Sequence, residues 1–576
     1  MPTLDWIGKK AVVNHHREVP YRVLRCDTEL SVGDPGSGNL LVQGDNLLAL
    51  KALLPYYAGK VKCIYIDPPY NTGVDERDDE GKRTGWTYSD NVNSPEIRAW
   101  LDKVVGAESE DLSRHDKWLC MMFPRLRILR DFLREDGVLF ASIDDIEAAS
   151  FKLILDEVFG VANRVGTIVW HNATDNNPTR IASEHEYVLC YARSKDQLPK
   201  EWKAAEIDVK QRLIEVGDRF VREYTDGADR QAAYQQWFSE NKPYLWPFQD
   251  YKFIDEHGVF AGIRGVHNPG KEGYRYDVLH PRTGQPCVEP LMGYRFPEAT
   301  MSRLLEENRI IFGEDHTKII ELKAYAKDYR AKLSSIFQLD GRVGTNELKA
   351  IFPDDRRPFD FPKPTGLIEE LLSFTTSDDD IVLDSFCGSG TTGQAVLKLN
   401  KSDGQKRRFV LIEMKESISR DITQPRLHRV IDGYTTRGRS GRETNVEGLG
   451  GGFRFCRLGP PLLDPDGQIT AGVKFDDLAR HTWFCETGEP WPRKGNGRRT
   501  PLLGVHNGTA IYLLFNGVLG DRTVNGGNVL TTNVLASLPK HKGPKVVYGE
   551  ASRLGNERLK REGIVFKQIP YEVKGA

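Results

Sequence analysis

A chain of 576 residues exceeds what one hydrophobic core of about 250–300 residues can hold, so about two to four domains are expected. A hydrophobic share of 39%, an aromatic share of 10% and a charged share of 28% are those of a water-soluble protein, and no run of about 18 apolar residues is present to span a bilayer. The formal net charge of -2 excludes neither nucleic acid nor small molecules as partners, because a basic cleft on one face can be balanced by acids elsewhere.

From residue 39, NLLVQGD reads as a strand and turn, NLLALKALLPYY places apolar residues at helical spacing, and KCIYID is a buried strand ending in Asp67. A polar stretch rich in Gly and Asp (71–114) leads to KWLCMMFPRLRILRDFLRED, an amphipathic helix expected to stop at Gly137, and then to the strand VLFASIDD. IEAASFKLILDEVFG is a helix; GTIVWHN and EYVLCYARS are two strands with little helix between them. Together these segments predict a parallel-type sheet with helices on both faces and an antiparallel edge made by the last two strands. Residues 201–345 break the rhythm with charged helical stretches and aromatic, Gly- and Pro-rich pieces, as an inserted domain does. The alternation resumes over 346–445 with the helix PTGLIEELLSFTT, the strand, turn and helix of DIVLDSFCGSGTTGQAVLKLN, and the strand RFVLIEM. Residues 446–576, with GLGGGFRFCRLG, AIYLLFNGV, KVVYGE and IVFKQIPYEV, read as a smaller α/β domain. The first sheet is thus expected in two parts, 1–200 and 346–445.

The eight cysteines, Cys26, Cys63, Cys120, Cys190, Cys287, Cys387, Cys456 and Cys485, contain no CxxC pair, which argues against a zinc site or a disulfide framework, and all are read as reduced. No metal is expected. MPTLDWIGKKAVV lacks the basic-then-apolar order of a secretory signal, so a cytoplasmic location is expected.

In DSFCGSGTTG a strand delivers Asp384, and Gly388 and Gly390 then let the backbone approach a ligand closely at the start of a helix whose amide groups face it. Gly388 to Gly393 has the spacing of a phosphate-binding P-loop, but Gln394-Ala395 stand where Lys and Ser or Thr would be required, so the triphosphate reading fails. Glu413, at the end of the next strand, has the position of an acid that binds the two hydroxyls of a ribose, and this implies adenosine. In Asp67-Pro68-Pro69-Tyr70 two prolines fix φ and push Asp67 into an extended conformation, so that the acid and the ring project from a stiff strand end. A carboxylate, the Pro68 carbonyl and an aromatic face together suit a flat group bearing an NH₂, such as a nucleobase.

DPPY at 67–70 with FCGSG at 386–390 resembles the S-adenosylmethionine-dependent DNA amino-methyltransferases, and the motif order resembles their circularly permuted β class. GDNL (44–47), KPTGL (363–367), RLRILRDFLREDGVLFASIDD and EHEYVLCYAR match too. LDWIGKKAV and GGGFRFCRLG resemble, more narrowly, the modification subunits of type III restriction-modification systems. The likeness runs from about residue 4 to about residue 570 and is loosest in the insert. It implies an α/β, Rossmann-like, circularly permuted methyltransferase sheet that binds S-adenosylmethionine and methylates adenine N6 in flipped-out bases of duplex DNA. Asp67, Pro68, Pro69 and Tyr70 would be catalytic. Phe386, Cys387, Gly388, Gly390 and Thr391 would cradle the cofactor, Asp384 would orient its polar end, and Glu413 would bind the ribose. Asp45 would lie near the adenine edge and Lys363 near the methionine carboxylate. Cys387 and Cys63 are read as packing residues, since direct transfer needs no covalent intermediate.

The resemblance also implies a homodimer, phage defence, and a separate helicase-nuclease restriction subunit, because this chain carries no complete P-loop. The insert would read the target sequence, through YLWPFQDYKF, GIRGVHNPGKEGYRYD and GYRF (Gly293 to Phe296), where aromatic and basic residues alternate. Residues 446–576 would contact the dimer mate or a partner. Arg426, Arg429, Arg437, Arg439 and Arg442 are read as a solvated loop. The alternatives are a solitary methylase, an RNA or protein amino-methylase, and a recognition subunit with little catalysis of its own.

Overall fold

The computed structural model describes residues 3–71, 113–173, 180–204, 208–242, 245, 248, 250–263, 265–267, 271–329, 331–355, 358–437, 443–464, 466, 468–492, 499–515, 518–520 and 527–569. Most of the polar stretch 71–114, parts of the first two insert motifs, Arg439 and Arg442 lie outside the described residues. The described residues fall into two compact units, 1–200 with 334–576, and 201–333.

In the larger unit, strand β3 (Val61–Ile66) is buried at every position, which only a strand covered on both faces allows. The other strands are β1 (Arg22–Gly33), β2 (Leu40–Gln43), β4 (Leu133–Ile143), β5 (Arg164–His171), β6 (His185–Ala192), β7 (Ile336–Gln338), β8 (Ile381–Asp384), β9 (Arg408–Glu413) and β10 (Gly452–Pro461). They form a ten-stranded sheet in the order β1-β10-β2-β9-β8-β3-β4-β6-β5-β7. The run from β10 to β4 is parallel throughout, whereas β1 pairs antiparallel with β10, and β6 antiparallel with β4 and β5. The expected antiparallel pair is present, but β7 adds in parallel outside it and carries the edge. This is an α/β, mixed but mostly parallel, Rossmann-like sheet. Its central strands β8 and β9, late in the chain, lie between β2 and β3, early in the chain, as a circular permutation requires.

Helices pack on both faces. Helix α1 (Asn46–Tyr57) is capped by Asp45, whose side chain accepts from the Leu48 amide. Helix α2 (Arg114–Phe132) starts with a capping box of Ser113 and Asp116 and ends at Phe132, five residues short of Gly137, because Leu133 already begins β4. Helices α3 (Ala148–Phe159), α4 (Thr365–Thr375), α5 (Thr391–Asp403) and α6 (Gln424–Asp432) follow. GGGFRFCRLG forms β10 and so enters the main sheet instead of joining a C-terminal domain. Phe475, Leu478 and Ile511 pack into the same core as Leu50 and Trp118. Beyond β10, strands β11 (Leu502–His506), β12 (Thr509–Leu513), β13 (Lys545–Gly549) and β14 (Ile564–Gln568) make a four-stranded sheet of their own.

Cys26 and Cys456 face each other across β1 and β10 and form a disulfide, which corrects the reading of all eight cysteines as reduced. The two are 430 positions apart, so nothing local signals the pair. Among the described residues no helix is long and apolar enough to cross a membrane.

The smaller unit contains the helices Asp208–Glu223 and Gly227–Asn241 and an antiparallel sheet of four strands. Some of the alternating aromatics supply its cores: Phe248 and Tyr251 pack with Leu213, Phe220 and Tyr234, and Tyr294 packs with Val266, Val278 and Met301. Others remain at the surface in part, with Tyr274 exposed and Tyr276 and Phe296 only partly buried.

Candidate active site

Strands β3 and β8 are parallel neighbours, with Cys63 opposite Val382 and Ile64 opposite Leu383, so the loops that leave their carboxyl ends emerge side by side. That places the DPPY segment against the glycine loop. Both line one cavity of about 570 Å³, with Asp67, Pro68, Pro69, Tyr70, Lys363, Asp384, Phe386, Cys387, Gly388 and Thr391 in its wall. The volume is ordinary for a small-molecule site.

The DPPY loop is held from beneath. Trp118, fully buried on α2, donates its indole N–H to the Pro69 carbonyl at 2.6 Å. Asn71 follows in the left-handed region (φ 63), and its side-chain amide donates to Glu147. The Pro68 carbonyl, by contrast, accepts no hydrogen bond among the described residues. The Tyr70 hydroxyl lies 2.9 Å from Asp67 Oδ1 and 2.8 Å from Glu186 Oε2.

The glycine loop is equally fixed. Asp384 accepts from the Phe386 amide at 2.9 Å and from the Thr392 hydroxyl at 2.5 Å, and its burial pushes its pKa up to about 7 in spite of those two donors. Gly388 and Gly390 sit at φ 49 and φ 84, and α5 starts at Thr391 without a capping side chain. The first-turn amides of α5 are therefore left for a ligand. A Cβ on Gly388 would stand 3.1 Å from the Phe359 ring, so the close approach that the glycine permits is used.

Three of the expected residues do not line the cavity. Asp45 serves as the cap of α1 and lies 3.4 Å from Arg125. Gly390 lies beneath the loop. Glu413 is fully buried at the end of β9, with Oε2 accepting from the Gly388 amide at 3.1 Å and Oε1 from the Lys415 amide at 2.8 Å. Its burial, only partly offset by those amides, pushes its pKa up to about 8. In this arrangement Glu413 braces the loop.

Lys363 lines the same cavity as the glycine loop. Its ammonium lies 2.9 Å from Asp67 Oδ2 and 3.4 Å from Glu186 Oε2. Burial works against that charge, but the two carboxylates outweigh it and hold the Lys363 pKa above the usual lysine range. Sequence reasoning missed Glu186, Phe359 and Phe361, which also line the cavity. The only local signal for Glu186 was its place inside EHEYVLCYAR. Arg426, read as solvated, is fully buried and donates to the Ser389 and Thr391 hydroxyls and to Gln394. Arg429 stacks on Phe352 and Arg437 pairs with Asp354 and Glu443. Burial drives the Cys63 thiol up to about 12 and the Cys387 thiol well above its usual range, the latter helped by Glu413 and Asp384. Both are buried free thiols.

A doubly covered, mostly parallel sheet that presents a glycine loop and a DPPY loop to one cavity is an α/β architecture with a small-molecule site at the carboxyl edge of its strands. The DNA methylase family model matches residues 61–424. Over 502 residues, 84% of this chain and 74% of the relative, the chain is 45% identical to the Mod subunit of the type III restriction-modification enzyme EcoP15I of Escherichia coli. It is 30% identical over 432 residues to the StyLTI Mod subunit of Salmonella typhimurium, spanning 59% of that protein, and 26% identical over 438 residues to the type II methyltransferase M.KpnI of Klebsiella pneumoniae, spanning 90% of it. The shares of this chain covered are 72% and 70%. The chain belongs to the DNA methylase family, among enzymes like the type III modification subunits.

The buried acids make stability depend on pH. A carboxyl whose folded pKa is raised contributes stability that is complete below its unfolded pKa and is lost as pH rises through the folded value. For Glu413 that window runs from 4.5 to about 8, and for Asp384 from 3.8 to about 7. The ligand-free enzyme is expected to lose on the order of 5 kcal/mol from Glu413 alone across its window. Thermal unfolding between about pH 5 and about pH 9 measures it, and Glu413→Gln should flatten the curve.

Proposed function

We propose that the DPPY loop holds the target base and the glycine loop holds S-adenosylmethionine in the cavity between β3 and β8. The enzyme is a DNA adenine-N6 methyltransferase of restriction-modification. The observation that carries the assignment of the site is that residues 67–70 and residues 386–389 with Thr391, far apart in the chain, wall one cavity.

S-adenosylmethionine, when bound, supplies a methyl group made electrophilic by the sulfonium. The chain's own groups do the rest. The lone pair of adenine N6 is delocalised into the ring, so the amine is a weak nucleophile. Asp67 and the Pro68 carbonyl accept its two N–H bonds, which favours a more tetrahedral nitrogen and stabilises the positive charge that grows there. The Tyr70 ring stacks on the base in place of the neighbour lost on leaving the duplex, and a base in a duplex reaches such a cavity only by flipping out. For the cofactor, Gly388 and Phe386 shape the wall, the first turn of α5 offers amide donors to its carboxylate, and Glu413 holds the loop.

The same proposal includes sequence reading by the insert, which the fold bounds at residues 201–333, not 345, a homodimer, and a separate helicase-nuclease subunit that cleaves DNA. Single-molecule sequencing of DNA from cells that express the chain tests the function directly. N6-methyladenine at one recurring motif is the expected result, and DNA without it would overturn the reading.

A further inference from the structure

We propose that Lys363 and Glu186 form a placeholder pair for the target amine: Lys363 occupies the oxygen of Asp67 that the base requires, and Glu186 receives Lys363 when the base enters. This inference rests on the site reading above.

In the base-free site both oxygens of Asp67 are taken, Oδ1 by the Tyr70 hydroxyl and Oδ2 by the Lys363 ammonium, each at 2.9 Å. An ammonium N–H at that distance stands where an adenine N6–H would stand. A carboxylate offers about four lone-pair sites, so the amine competes with these donors only for the side of Asp67 that faces the cavity, and there the geometry selects Lys363 as the one to yield. The Tyr70 hydroxyl is already shared with Glu186, and its ring belongs to the stiff DPPY segment. The lysine is a flexible chain whose ammonium lies within ion-pair reach of Glu186, at 3.4 Å. Glu186 is itself held in place, because the Asn172 amide donates to its Oε1 at 2.7 Å and leaves Oε2 toward the lysine.

Electrostatics explains why a second carboxylate is needed. The Lys363 side chain is only 11% exposed, so an ammonium driven off Asp67 would be poorly hydrated and without an ionic partner, which is costly. Glu186 removes that cost. With two carboxylates and one ammonium the cluster carries one net negative charge, which complements the positive charge that develops on N6. The groups facing the ammonium are Asp67 and Tyr70 from the loop after β3 and Glu186 from β6, with Tyr65 and Asp384 also in the cavity wall. Trp170 contributes a ring 5.8 Å from the ammonium.

The test is single-turnover transfer of labelled methyl from S-adenosylmethionine to unmethylated plasmid DNA by the full-length enzyme, with calorimetric cofactor binding as the check on folding. In Glu186→Gln the ammonium keeps only Asp67, so the apparent KM for DNA should rise about tenfold or more with cofactor affinity unchanged. Adding Lys363→Met to that variant should restore much of the loss, since Asp67 is then free. Lys363→Met alone leaves two carboxylates without a cation, and the acid limb of its pH–rate profile should move up by about one unit. Lys363→Arg keeps the charge and the fold, and should also raise KM, because a bidentate guanidinium leaves Asp67 less readily. A wild-type KM in Glu186→Gln or Lys363→Arg, or a double variant worse than Glu186→Gln, would overturn the placeholder role. If Asp67→Ala is inactive while these variants behave as wild type, this inference alone fails. If Asp67→Ala keeps wild-type turnover, the site reading fails with it.

Discussion

Replacing Asp67 by alanine is expected to lower the single-turnover rate of methyl transfer by about 10³-fold or more and to leave the affinity for S-adenosylmethionine within about twofold, since removing one pre-organised electrostatic partner of a transition state commonly costs about 10²–10³-fold. The loss is expected in the chemical step because the carboxylate acts on the amine as charge grows on it. In the proposed arrangement the cofactor's contacts come from the loop after β8, which Asp67 does not hydrogen-bond. The Asp67 carboxylate bonds Tyr70 and Lys363, both of which keep Glu186 as a partner in its absence. The fold should therefore survive. Rapid-quench transfer with labelled cofactor, set beside calorimetric binding, separates the two quantities, and unchanged transfer would remove Asp67 from the mechanism.

Gly388→Ala is expected to do the opposite, raising the dissociation constant for S-adenosylmethionine by about tenfold or more while the rate at saturating cofactor stays within a few-fold. A side chain at φ 49 enters the left-handed region, at about 1–2 kcal/mol for an L residue. The new Cβ would also press on Phe359 at 3.1 Å in the cavity wall. The loop cannot relax freely, because the Gly388 amide is bound by Glu413 and its carbonyl by the Thr423 hydroxyl at 2.6 Å. Binding isotherms decide the matter: a wild-type dissociation constant would show that this loop does not meet the cofactor. Asp67 and Gly388 thus separate the two halves of the cavity, one by rate and the other by affinity.

Much of this site was legible in the sequence because its parts are stiffened locally. Pro68 and Pro69 restrict their own φ angles, and the conformation of Asp67 follows from the ring after it. Gly388 and Gly390 announce a close approach of backbone, and both adopt positive φ. The alternation of apolar runs identified β2, β3, β8 and β9 and the helices between them. The end of α2 was misplaced because Leu133, Arg134 and Glu135 continue a helical pattern, and only pairing of Leu133 with Val61 draws them into β4.

The residues around Asp67 were read less well, for a reason of range. Lys363 and Glu186 meet Asp67 only because β6, β3 and the segment before α4 converge at one end of the sheet. Charge alone does not reveal which of many acids a lysine will face. Arg426 was read into a solvated loop because a run of arginines is usually exposed; its burial against the glycine loop depends on α6 packing against α5.

Composition, stiff motifs and hydrophobic periodicity act over a few residues at a time, so the chain by itself determined the class of fold, the DPPY edge and the glycine turn. Strand order acts across the whole chain. It alone decided that β8 lies beside β3, that Cys26 meets Cys456, that Glu413 braces the loop, and that Asp67 faces Lys363 and Glu186, because each of these contacts joins residues whose separation along the chain carries no local energy.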